Sequence, residues 1–121
     1  MPPSAKVRER FLRDATPVRL EGIAANLARI ESFSADAESI DIVEELIEET
    51  RCFVGWVSGD DLSAESAGLL SALDGRLQFW QQKLRGIRSS DNDRRSLAQE
   101  AAVFKRFQRF VHLVGIPAFG V

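Results

Sequence analysis

A chain of 121 residues, 45% apolar and carrying a net charge of −2, fits one globular domain large enough to bury a core without metals or disulfides. No apolar run reaches bilayer-spanning length, the start Met1-Pro2-Pro3-Ser4 has no apolar signal region, and Cys52 has no second cysteine to pair with. The expectation is a soluble cytoplasmic protein rather than an anchored, secreted or disulfide-stapled one.

Residues 1–15 read as a partly mobile N-terminal segment with a short basic amphipathic helical turn. Val7, Phe11 and Leu12 share one side of it, and Lys6, Arg8, Arg10 and Arg13 cover the rest. Residues 16–121 read as the main domain. Its first helix starts with Thr16 as expected cap and Pro17 at the first helical position, where a missing N–H does no harm. Leu20, Ile23, Ala24, Leu27 and Ile30 form its core face.

Ser34-Ala35-Asp36 makes a turn, and Asp36 is the expected cap of a second helix reaching about Val57. Val43, Leu46, Ile47, Thr50, Phe53, Val54 and Val57 cover one side of that helix. Asp41, Glu44, Glu45 and Glu48 cover the other. The break at Ser58-Gly59-Asp60-Asp61 is followed by Ser63 as cap of a third helix, with Leu62 and Ala67 placed as a hydrophobic staple.

The third helix, to about Arg88, carries two stripes. Ser66, Leu70, Leu73, Leu77, Trp80, Leu84 and Ile87 alternate spacings of four and three, the heptad of a helix packed along its whole length. On the far side run Gly68, Ala72, Gly75 and Phe79, three of them small enough to let another backbone come close. A fourth helix follows the cap candidates Ser89-Ser90-Asp91-Asn92-Asp93, with Leu97, Val103, Phe104, Phe107, Val111 and Val114 as core side and Gly115 and Pro117 as its end. No stretch alternates with period two. The predicted fold is all-α: an up-and-down four-helix bundle with a short N-terminal helical segment.

Charge is unevenly spread. Residues 36–65 hold ten acidic side chains against Arg51, whereas residues 66–121 hold nine basic and four acidic ones. Acidic and basic helices are therefore expected side by side. The glutamates of the second helix do not make a di-metal site, which needs Glu-x-x-His pairs; the one histidine, His112, has Arg109 three residues before it. Neither a metal nor a cofactor is expected. Lys105, Arg106, Arg109 and Arg95, with Arg85 and Arg88, form a basic face. With a pI near 5.4 and no tyrosine for base stacking, it reads as solubilising rather than as a nucleic-acid surface.

Arg106 and His112 are separated by a spacing that resembles that of HEPN-type helical ribonucleases, which would imply an RNase or RNA-binding protein using those two residues. Phe107 follows the arginine where that motif tends to place a polar residue. Six helical steps also turn the two side chains roughly 120° apart. Cys52 lacks a partner base or ligand. The acidic stripe of the second helix runs on into Cys52 and Trp56, a patch that either Phe11 and Leu12 fold over or a partner covers.

Three segments, Leu27-Ala28-Arg29-Ile30-Glu31-Ser32-Phe33-Ser34, Glu48-Glu49-Thr50-Arg51-Cys52-Phe53-Val54-Gly55-Trp56 and Leu77-Gln78-Phe79-Trp80-Gln81-Gln82, resemble small, uncharacterised all-helical proteins of cyanobacteria. The resemblance implies a stand-alone helical domain and brings no activity. The sequence thus points to a non-enzymatic protein-protein interaction or assembly module, a homodimer or partner-bound protein. Its expected interface residues are Gly68, Ala72, Gly75, Phe79, Cys52 and Trp56, with no membrane or nucleic-acid partner.

Overall fold

The computed structural model describes residues 3–60 and 62–105, and every regular element among them is helical. Five α-helices follow one another: α1 (Ala5–Arg13), α2 (Thr16–Phe33), α3 (Ile40–Val57), α4 (Ala64–Ser89) and α5 (Asp91–Phe104), with a 3-10 turn at Ala37–Ser39. No helix among the described residues is long and apolar enough to cross a membrane.

Local chemistry sets most of the helix ends. Ser4, Ser63 and Ser90 cap α1, α4 and α5, each side chain accepting from an amide of the first turn, as with Ser66 N–H to Ser63 Oγ at 3.1 Å. Two expected caps are corrected. The cap position of α2 is Ala15, and Thr16 lies inside the helix with its hydroxyl donating instead to Asp60 Oδ2 at 2.6 Å. Asp36 caps the 3-10 turn by accepting from Glu38 N–H, so α3 proper starts later, at Ile40.

α2 packs on α3 and α5, and α4 packs on α3 and α5. The core between them holds Leu20, Ile23, Leu27, Ile30, Val43, Ile47, Val57, Leu97 and the whole heptad face of α4, in which Trp80 is the largest buried side chain. On α5 the core face is Arg94, Leu97 and Ala101, with Phe104 partly buried against it. Val103, expected inside, is 65% exposed. It lies six residues beyond Leu97, roughly 120° around the helix, so the phase of the packed face excludes it whatever its hydrophobicity. Phe107, Val111, Val114, Gly115 and Pro117 lie outside the described residues.

Ion pairs run between the helices in both polarities. Arg88 on α4 meets Asp41 on α3 at 2.5 Å, as the acidic-to-basic pattern anticipates, but Arg51 on α3 meets Asp74 on α4 at 3.2 Å. Arg76 pairs with Glu100 across α4 and α5, and Lys105 with Glu31 of α2 at 2.5 Å.

Candidate functional site

The outward stripe of α4 is bare. Gly68, Ala72 and Gly75 are exposed, and a Cβ built on either glycine would meet nothing within 4 Å. Phe79 closes the stripe with its ring 41% exposed. The Arg76 guanidinium lies 4.5 Å from its centroid and the Lys83 ammonium 5.7 Å away, so the ring is presented between two cations. Arg76 also lines a shallow depression with Val103, Ser96 and Gln99, which joins the exposed valine of α5 to this face. Beneath the stripe, Trp80 Nε1 donates to Glu100 Oε2 at 3.0 Å while Glu100 holds Arg76, a chain of contacts that fixes the two helices' relative position.

Cys52 and Trp56 occupy different surroundings. Cys52 lines a groove of about 690 Å³ between α3 and α4, with Val54, Leu62 and Leu70 as apolar lining and Arg51, Asp74 and Gln81 beside it. Arg51 bridges to α4 there, its Nε donating to Asp74 Oδ1 and its Nη1, at 2.8 Å, to Gln81 Oε1. Burial pushes the Cys52 thiol above its ordinary value, Glu48 and Glu49 add to the rise, and Arg51 opposes it. A thiol held protonated is a poor nucleophile. Leu62 and Ala67, the expected staple, both line this groove.

Trp56 belongs to an aromatic cluster roofed by α1. Phe11 stacks on Phe53 with centroids 4.4 Å apart and leans on Trp56 at 5.5 Å. Phe11 therefore folds over the patch, whereas Leu12 stays 40% exposed. One residue that sequence reasoning missed, Arg19, fastens this arrangement. Its Nε donates to the carbonyls of Phe11 and Asp14 at 3.1 and 2.8 Å, Nη2 to that of Leu12 at 2.6 Å, and Nη1 to both carboxylate oxygens of Asp60 at 2.8 and 3.0 Å. One side chain thus binds carbonyls at and just beyond the end of α1 and ties them to the segment after α3.

Arg94, also unforeseen, is 9% exposed and donates to the carbonyls of Ile87 and Arg88, closing the end of α4. The three-and-four spacing places Arg94 on the packed face of α5, but an arginine there does not read as core, and most of the partners of both arginines are groups of other segments that local periodicity does not reveal. Among the described residues no group of three or more His, Cys, Asp or Glu side chains is placed to hold a metal. Arg106, Arg109 and His112 lie outside the described residues. Comparison with protein-family models, with curated proteins and with solved structures yields no match.

Proposed function

We propose that this protein is a non-enzymatic interaction or assembly module, an up-and-down four-helix bundle of α2 to α5 with α1 as an N-terminal addition, and that it forms a homodimer through the outward stripe of α4. The bundle reading is supported by the cyclic packing of α2, α3, α4 and α5. It is supported also by cross-links that pair opposite ends of neighbours: Arg19 near the start of α2 with Asp60 after α3, and Arg88 at the end of α4 with Asp41 at the start of α3.

The observation that carries the self-association is the pair of glycines Gly68 and Gly75. Glycine inside a helix costs about 1 kcal/mol relative to alanine, and at both positions a Cβ would meet only open space among the described residues. Nothing described within the monomer accounts for their small size. A second α4 crossing closely does, with each Phe79 ring laid over the partner's glycines and Val103 widening the contact onto α5. Such a contact is self-complementary about a two-fold axis. Sedimentation equilibrium of the purified chain at micromolar and higher concentrations tests it: a monomer–dimer equilibrium is expected, and Phe79→Ser shifts it toward monomer. A wild-type chain that stays monomeric throughout contradicts the proposal.

A further inference from the structure

α1 is fastened to the molecule as a ligand is fastened to a receptor. Of its nine residues only Phe11 is buried, with Val7 partly buried beside it. The Phe11 ring enters a slot walled by Phe53 and Trp56, whose own centroids lie 5.7 Å apart. Arg8 reaches back over the Trp56 ring at 5.8 Å.

α1 is basic, carrying Lys6, Arg8, Arg10 and Arg13 against Glu9, and Arg10 lines a cleft of about 490 Å³ beside it together with Glu21 and Arg29 of α2 and Glu49 of α3. Arg19 completes the receptor by binding carbonyls at the C-terminus of α1, that of Leu12 and that of Phe11, which also accepts the Asp14 N–H, together with that of Asp14 just beyond. These acceptors belong to the backbone, so the clamp recognises a helix end and leaves specificity to the aromatic anchor.

The connection to α2 is Asp14-Ala15, both residues extended. Pro17 keeps α1 and α2 from fusing into one helix, since it has no N–H and its ring would strike the Arg13 carbonyl of a continuous helix. A nine-residue helix is also below the length that holds itself together in water, so α1 depends on the cleft for its order.

We propose that the surface formed by Phe53 and Trp56 of α3 and Arg19 of α2, with the cleft beside it, is a helix-binding site that α1 occupies in cis, and that it accepts in trans a basic amphipathic helix of a partner protein bearing an aromatic anchor, α1 swinging away on Asp14-Ala15. The site lies on other elements than the α4 stripe and stands independently of self-association there. Displacement is the regulating step, because the tethered α1 competes at high effective concentration with any helix arriving from solution.

The test titrates a labelled synthetic peptide of residues 3–15 into the full-length chain and into full-length Phe11→Asp, in which the resident helix loses its anchor while the cleft stays intact. The variant binds the peptide roughly tenfold or more tighter than wild type, by the fraction of time α1 vacates the site in each. The peptide carrying Phe11→Ala does not bind. Equal affinity for both chains, or no binding to a Phe11→Asp chain that keeps its helical circular dichroism, overturns the proposal. Should Phe11→Asp unfold, hydrogen exchange on wild type decides: α1 amides exchange well ahead of the buried amides of α2 and α3, and exchange only in step with them overturns it. If the trans occupant is instead the α1 of a second copy, wild type forms a dimer that Phe11→Asp abolishes, which overturns the partner-helix assignment. The α4 dimer is distinguished because it responds to Ala72→Glu and not to Phe11→Asp.

Discussion

Arg19 shows how much one side chain can hold when all three of its guanidinium nitrogens donate. Its side chain is 16% exposed and Asp60's is 14%, so the pair is shielded enough for its charged hydrogen bonds to count, at about 1.5–3 kcal/mol for such a bond. Arg19→Ala is expected to lower stability by about 2–3 kcal/mol in chemical denaturation and to release α1. Arg19→Lys recovers only part of that, because a single ammonium cannot span the carbonyls and the carboxylate together. A lysine variant with wild-type stability would show that charge alone suffices. At the core, Trp80→Ala is expected to cost about 3–5 kcal/mol, and Trp80→Phe less, since it removes the bond to Glu100 and part of the buried ring volume but keeps an aromatic side chain in the core. Cys52 gives a pH-dependent readout. With its thiol raised by burial and by Glu48, alkylation stays slow through neutral pH, and Glu48→Gln speeds it at fixed pH by favouring the thiolate. An unchanged rate in Glu48→Gln would remove that carboxylate from the account. Thr16 illustrates what sequence leaves hidden at this scale: its type and its place before Pro17 suit a cap, but its partner is a carboxylate 44 residues away.

At the scale of elements, the heptad of α4 was wholly legible, all seven positions being buried, because which face a helix turns inward is written in local periodicity. α5 was legible in kind and only partly in face: Leu97 and Phe104 lie on the core side as expected, and Val103 does not. Arg94, Leu97, Ala101 and Phe104 keep a spacing of three and four, and this phase outranks the apolarity of Val103. Val103→Gln is therefore expected to leave the stability of the isolated subunit, read at concentrations too low for association, within about 0.5 kcal/mol of wild type, as for an exposed position away from the core. The glycines of α4 give the complementary expectation. Gly68→Ala introduces a methyl into open space and should raise the stability of the isolated subunit by about 1 kcal/mol, read by denaturation at concentrations too low for association. A loss of stability there would place an intramolecular neighbour over the stripe. The candidate site was legible in part: Gly68, Ala72, Gly75 and Phe79 could be picked out as a line facing away from the core. The separation of Cys52 from Trp56 could not, since it depends on where α1 lies.

Across the whole molecule, segregated charge does not become two opposed plates. Basic partners meet acidic ones at Arg88–Asp41, but Arg51–Asp74 runs the other way and Arg76–Glu100 lies within the basic half. Exposed pairs of this kind contribute about 0–1 kcal/mol each and are screened beyond about 10 Å at ~0.1 M salt, so added salt should lower the melting temperature only slightly. The central claim, that a stable monomeric bundle associates through the outward side of α4, is tested most directly by Ala72→Glu. Ala72 is exposed and apart from the buried Leu70, Leu73 and Leu77, so the change places two like charges beside the two-fold axis without disturbing the core. Sedimentation equilibrium paired with thermal melting should find wild type dimeric and Ala72→Glu monomeric with its fold intact. A wild-type monomer, a dimeric Ala72→Glu variant, or a variant that unfolds outright would contradict it.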